Sequence, residues 1–371
     1  MNAFSADARP PFELVHGVAH AEQGALLDWL GAGLRPDDPA ALVAEYPLAL
    51  AHGAAHVVAR SGGRFLAHAL GRRLVARAGD RRVPVGVIGL VYTDPAERGR
   101  GLARACTAAA ADRLAREGAL AIALWTDLDA LYAPLGFRRA GRECWHPLEP
   151  GACAAAREGT PPVEVGAPRD DDWPALEAFQ AAHPARIERP PGALARLAAI
   201  PGCTTRVARR AGRPIAFACA GRGADLRGVV HEWGGDPEGV LACLEALARA
   251  GATRWHAGPL DSPVAARLRA AGSTPQEHAL ALVRIPDPPA LWDALVAGDP
   301  ALAGVRLERD GPGFALCGAR GRARLSPAEA TALLLGPQRP TGAAAALDAR
   351  QWLALRARLP WPLYFWGFDS I

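Results

Sequence analysis

Residues 91–103, Val-Tyr-Thr-Asp-Pro-Ala-Glu-Arg-Gly-Arg-Gly-Leu-Ala, read as an apolar strand, then a loop of glycine and arginine, then the opening of a helix. A helix N-terminus leaves N–H groups unpaired and carries a partial positive charge, so it forms a ready anion site. Gly99 and Gly101 let the backbone approach a phosphate with no Cβ in the way, and Arg98 and Arg100 add charge and forked donors. Arg98, Gly99, Arg100, Gly101, Leu102 and Ala103 therefore form a candidate pyrophosphate site.

Two further segments carry chemistry. About 30 residues after the loop stands Leu131-Tyr132-Ala133-Pro134-Leu135-Gly136-Phe137, and the chain ends Pro360-Trp361-Pro362-Leu363-Tyr364-Phe365-Trp366-Gly367-Phe368-Asp369-Ser370-Ile371. Five aromatics in the last eleven residues are too much apolar surface to leave in water, at roughly 1.5 to 3 kcal/mol per large side chain buried. The tail is expected to dock and to carry its terminal carboxylate with it. A cationic substrate would favour an acidic cleft, for which the candidates are Asp28, Asp37, Asp38 and Glu45 near the N-terminus and Asp369 in the tail.

Other chemistries are poorly supplied. The chain contains no lysine, which excludes a phosphate-loop nucleotide binder, a pyridoxal phosphate Schiff base and a kinase lysine. His52, His56 and His68 have no metal-binding spacing, and the seven cysteines include no CxxC pair, so no metal and no disulfide framework is expected. A formal charge of +4, with the arginines spread out, points away from nucleic acid. The apolar runs fall far short of the roughly 20 residues of a membrane span, and the N-terminus has no apolar signal core. A cytoplasmic protein is expected.

The elements that must position these residues follow from periodicity. A strand at 12–17, helices at 21–30 and 36–48, and strands at 57–60, 65–75 and 83–93 lead to a helix at 102–118. A strand at 119–125, a short helix at 128–135 and a strand at 137–146 complete a unit of residues 1–150. Prolines and an alanine-rich stretch then read as a linker. The same order recurs over 161–285, ending in a strand at 277–284, and residues 287–371 read as a smaller helix–strand–helix unit. Ser326 and Glu329 frame Pro327 as a capping box, the start of a helix in that unit. In the second unit the strand–helix junction is Trp233-Gly234-Gly235-Asp236-Pro237-Glu238, with acids where phosphates would sit, so no second pyrophosphate site is expected there.

Arg98-x-x-Gly101-x-Ala103 resembles the coenzyme A signature of the GNAT superfamily, and Tyr132-x-x-x-Gly136-Phe137 resembles that family's downstream segment. Two such units, a third domain and a docked terminus resemble the enhanced intracellular survival family of aminoglycoside acetyltransferases. The resemblance implies an α/β fold with mixed sheets: two tandem GNAT-like units followed by a small α+β domain resembling sterol carrier protein. It implies attack of a primary amine on acetyl-CoA in a ternary complex, the amine belonging to a small polyamine or aminoglycoside-like molecule. Val91 and Thr93 would pair with the pantetheine arm, Tyr132 would protonate the departing thiolate, and the carboxylate of Ile371 would act as base. No carboxylate precedes Asp94 on the strand at 83–93, so a base must come from elsewhere or be water. A symmetric homo-oligomer is compatible with the resemblance. The competing readings are an acyltransferase for a biosynthetic or peptide amine, and a non-catalytic module that binds acyl-CoA or lipid.

Overall fold

The computed structural model describes residues 11–50, 54–159, 161–337 and 340–371. His52 lies outside the described residues. The chain divides into two compact units, one formed by the described residues through Arg72, Ile88–Glu117 and Ile371, the other by Arg73–Val87 and Gly118–Ser370. No helix among the described residues is long and apolar enough to cross a membrane.

The first unit contains β1 (Glu13–His16), α1 (Gln23–Leu34), α2 (Ala41–Glu45), β2 (Ala54–Ser61) and α3 (Leu102–Arg116). It also takes the first part of β3 (Arg64–Ala78) and the last part of β4 (Arg81–Thr93). β1 pairs antiparallel with β2 and β2 with β3. α3 packs on β2 through a buried face that includes Leu102, Cys106, Ala110 and Leu114. Leu26 and Leu30 of α1 join Val58, Leu70 and Leu90 of the strands in one core. The helix expected over 36–48 is shorter in the structure, α2 being five residues.

The second unit opens with β5 (Ala121–Leu124), α4 (Asp129–Tyr132), β6 (Arg138–Ala140), β7 (Glu143–Pro147) and α5 (Pro150–Ala156). It continues with β8 (Glu164–Gly166), α6 (Trp173–Ala181), β9 (Ala185–Ile187), α7 (Ala193–Ala198), β10 (Thr204–Arg210) and β11 (Arg213–Arg222). β12 (Asp225–Gly235), α8 (Pro237–Arg249), β13 (Arg254–Gly258), α9 (Pro263–Ala270), β14 (Gln276–His278) and β15 (Ala281–Arg284) follow. α10 (Pro288–Val296), β16 (Arg306–Asp310), β17 (Gly313–Gly318), β18 (Gly321–Leu325), α11 (Pro327–Leu335) and α12 (Ala349–Arg358) complete it. The fold is mixed α/β, with sheets that combine parallel and antiparallel neighbours.

Two strands expected to be continuous are broken, and the breaks are matched. The run at 137–146 splits at Gly141, which has φ 74° and would place a Cβ 2.7 Å from the Leu280 Cβ. The run at 277–284 splits beside that same Leu280. β6 then pairs with β15, and β15 pairs with β5. β7 instead pairs with β13 and β14. Each broken run therefore gives one half to the sheet of β5 and the other half to the sheet of β13, an exchange that a side-chain alternation pattern cannot reveal because alternation persists across the break.

The stretch read as a linker holds a helix, α5, with Pro150 in its first turn and Cys153 buried. It packs on α8. α11 starts at Ser326 with the capping box read from sequence, its hydroxyl accepting from the Glu329 amide at 3.2 Å. β16, β17 and β18 form a three-stranded antiparallel sheet.

Candidate active site

The anion bed is built by a strand, a turn and an uncapped helix. Asp94 closes the end of β4 by accepting from the Ala96 amide at 2.9 Å. The chain then reaches Gly99 (φ 81°) and Gly101 (φ 74°), left-handed positions where a side chain would be strained. Gly101 is the N-cap of α3, and no side chain caps that helix. A Cβ at Gly99 would meet nothing within 4 Å, and one at Gly101 would meet only an Arg104 nitrogen at 3.7 Å. No side chain takes the first-turn amides of α3, and an uncapped helix start is the arrangement that accepts an anion. Arg98 is exposed, while Arg100 is half-buried, pairs with Glu97 and lies 6.0 Å from the Phe12 ring centroid. Leu102 is buried and Ala103 half-buried, so the helix start is fixed by packing.

On β4, Val91 and Thr93 are half-buried, and the Thr93 hydroxyl is buried without a hydrogen-bond partner among the described residues. The parallel ladder of β4 with β5 covers Val85–Ala121, Gly86–Ile122 and Val87–Ala123 and stops there. β4 itself runs on to Thr93. Leu90 sits at φ 46°, a left-handed conformation that leucine rarely adopts.

Sequence reasoning missed the part played by Gly89. A Cβ there would fall 1.7 Å from the Ile371 carbonyl oxygen, so the end of the chain rests directly on β4. The Ile371 side chain packs against the core that includes Leu90 and Tyr92. The signal was available: a glycine inside an apolar strand marks close approach of another backbone.

Tyr132, in the second unit, is buried at the end of α4 with its ring edge-on to Phe137, centroids 6.2 Å apart. Burial raises its phenol above the usual value, so it is protonated at neutral pH and suited to donate.

In the second unit the tail docks as its composition demands. Trp361, Tyr364, Phe365, Trp366 and Phe368 are all buried. The Trp361 amide donates to the Leu334 carbonyl at 2.8 Å, and the Trp366 indole to the Ala185 carbonyl at 3.2 Å. Arg189 binds Asp369 at 2.7 Å and Glu232 at 2.7 Å, and the Phe368 amide donates to Glu232 at 3.2 Å. Arg222 holds the Gly367 carbonyl at 2.8 Å.

The acids considered for substrate binding do not behave alike. Asp369 is buried and taken up by Arg189, so it anchors the tail rather than facing solvent. Glu45 is buried and bound by Arg35 at 2.6 Å. Asp28 and Asp37 are exposed. Among the described residues no group of three or more His, Cys, Asp or Glu could hold a metal ion.

A glycine-arginine turn feeds an uncapped helix, and the strand before it runs on past its parallel partner, an arrangement whose chemistry suits an anionic, extended ligand. Residues 24–137 match the acetyltransferase (GNAT) family model, so the chain carries a GNAT acetyltransferase domain and is an enzyme of that class. Among curated proteins none matches the sequence. A GCN5-related N-acetyltransferase from Anabaena variabilis is 13% identical over 97% of this chain and 100% of its own, with TM-score 0.67. Eis1 from Mycobacterium abscessus is 15% identical over 97% of this chain and 99% of its own, with TM-score 0.58. A GCN5-related N-acetyltransferase from Kribbella flavida is 18% identical over 85% of this chain and 81% of its own, with TM-score 0.56. At these identities the likeness is one of fold.

Proposed function

We propose that this enzyme transfers an acetyl group from acetyl-CoA to a primary amine of a small polyamine or aminoglycoside-like acceptor, by direct attack in a ternary complex. The observation that carries this reading is the uncapped N-terminus of α3, with open space over Gly99 and only an Arg104 nitrogen near Gly101. The pyrophosphate would take the first-turn amides with Arg98 and Arg100, and the backbone at Val91 and Thr93 would hold the pantetheine arm. The amine nitrogen forms a bond to the thioester carbonyl carbon, and the carbon–sulfur bond breaks. In this reading the carboxylate of Ile371 takes the proton lost by nitrogen, and Tyr132 gives its phenolic proton to the thiolate. With Glu45 and Asp369 bound by arginines, Asp28 and Asp37 are the acids proposed to attract a cationic acceptor.

We take residues 1–150 as the catalytic domain and 161–285 as a GNAT-like domain without a coenzyme A site. Residues 287–371 would be a domain resembling sterol carrier protein. Asp236 supports the second assignment: its carboxylate accepts from the Glu238 and Gly239 amides at 3.0 and 3.1 Å, occupying the start of α8 where an anion would bind. The test is coenzyme A release from acetyl-CoA over a panel of amines, with wild type and a chain shortened by Ile371. Turnover with polyamines that falls on removal of Ile371 supports the reading. Binding of acetyl-CoA without turnover of any amine overturns it.

A further inference from the structure

His56 and His68, on neighbouring strands β2 and β3, take no part in the chemistry above, yet both are buried and joined in a continuous chain of contacts. The His68 Nδ1 lies 2.7 Å from the Leu90 carbonyl oxygen, the His68 Nε2 lies 3.0 Å from the His56 Nδ1, and the His56 Nε2 lies 3.1 Å from the Ala49 carbonyl oxygen. Both ends of the chain are carbonyl oxygens, which only accept, so both terminal nitrogens must carry hydrogen. Two neutral imidazoles own two N–H groups, and both are spent on the carbonyls. The central contact would then set two lone pairs face to face at 3.0 Å. Moving either hydrogen to the centre leaves a bare nitrogen against a carbonyl. All three contacts become hydrogen bonds only when the pair holds one extra proton.

We infer that His56 and His68 share one proton in a buried dyad that locks the left-handed kink at Leu90, which makes His68 a positioning residue for the strand that receives the acyl-CoA arm. The inference rests on the reading of β4 as that strand. A left-handed leucine persists only where its surroundings hold it, and the His68 N–H makes a side-chain contact on the Leu90 carbonyl. Leu90 lies between Gly89, which seats Ile371, and Val91. One carbonyl bond thus fixes the backbone at the point where β4 meets the end of the chain.

Burial works against the extra charge, lowering His56 and pushing His68 down to about 3. The Ala49 and Leu90 carbonyls each raise the imidazole they touch, and the further opposing contribution is the central bond, since an unpaired polar contact in a dry interior is also costly. The ionisable groups in the surrounding core are few. Tyr46 follows α2 and joins the core with Tyr92 of β4 and Ile371, Glu45 of α2 is matched by Arg35, and Cys106 of α3, its thiol pushed up by burial, lies against the Ala59 backbone. His56 is the charged group that bears on His68, lowering it, and no side-chain carboxylate contributes to either among the described residues.

The test has two arms on the full-length protein. With 15N-labelled histidine, ring-nitrogen shifts across the neutral range count protonated nitrogens directly, the pair being assigned by its loss in His56→Gln. Three protonated nitrogens out of four near neutral pH support the shared proton, and two out of four overturn it; where His56→Gln does not fold, the loss in His68→Asn supplies the assignment. Binding of acetyl-CoA by calorimetry is the second arm. His68→Phe, which cannot hold Leu90, is expected to weaken binding about tenfold by releasing the kink. His68→Asn, which still offers an N–H to the Leu90 carbonyl, is expected to restore it. Unchanged affinity in His68→Phe would overturn the positioning role. Failure of wild type to bind acetyl-CoA would instead sink the proposed function and leave the proton count standing.

Discussion

Gly89→Ala isolates the terminal carboxylate from every other part of the molecule. The added Cβ would stand 1.7 Å from the Ile371 oxygen, and contacts below 3.0 Å essentially never occur, so the carboxylate must retreat by about 1.3 Å. Gly89 is not at a positive φ, so alanine costs β4 nothing in backbone strain. The chain end is the part free to give way, because the tail up to Ser370 is held by Arg189 and Arg222 in the second unit. A displacement of about 1 Å in a reacting group costs on the order of a hundredfold in rate. The expected result in a coenzyme A release assay is therefore a kcat lower by about a hundredfold, with KM for acetyl-CoA little changed and thermal stability retained. An unchanged kcat in a folded variant would refute the assignment of Ile371 as base.

Three further outcomes are expected. Tyr132→Phe should lower kcat by about 10²–10⁴-fold, the usual range for loss of a general acid, without weakening acetyl-CoA binding; calorimetry and steady-state kinetics together check this. Arg189→Gln leaves Glu232 and Asp369 buried without their cation and should destabilise the fold by about 3–5 kcal/mol, measurable by urea denaturation. Glu143 supplies a pH signature. Burial pushes it up to about 7 and pushes the neighbouring His256 down to about 3, so the two meet at 3.4 Å as a neutral acid and a neutral imidazole. A carboxyl whose folded value is raised stabilises fully below its ordinary value of 4.5, and this contribution is lost as pH rises through about 7. Glu143→Gln should remove that slope, a difference on the order of 3 kcal/mol between the ends of the window; equal slopes in variant and wild type would contradict it.

The glycine-arginine loop was legible because its conformation resides in local residue types. Glycines at left-handed positions and an uncapped helix start write themselves into neighbouring residues, and Arg98 to Ala103 lie where the pattern put them. The docked tail was legible from aromatic content alone, since no folded chain leaves five such rings in water. Two of the candidate acids, Glu45 and Asp369, are taken up by arginines rather than left facing solvent, for a physical reason. A carboxylate seen in sequence does not disclose its partner, and Glu45 and Asp369 meet arginines 10 and 180 residues away. The strand exchange was hidden for a similar reason. Alternation specifies which face a residue shows, but the choice between two sheets is made at Gly141 and Leu280, by a backbone approach with no local signature. His56 and His68 gave no motif because their partners are carbonyl oxygens, which every residue has.

The central claim is acyl transfer to nitrogen, and the most direct measurement follows the acetyl group itself. Acetyl-CoA labelled with 13C in the acetyl group is incubated with the enzyme and a small polyamine, and the product is examined by mass spectrometry and NMR. The account predicts a labelled acetamide on a primary amine nitrogen, formed in step with free coenzyme A and lost in Tyr132→Phe. Release of coenzyme A with labelled acetate and no labelled amide, for every amine supplied, would contradict it.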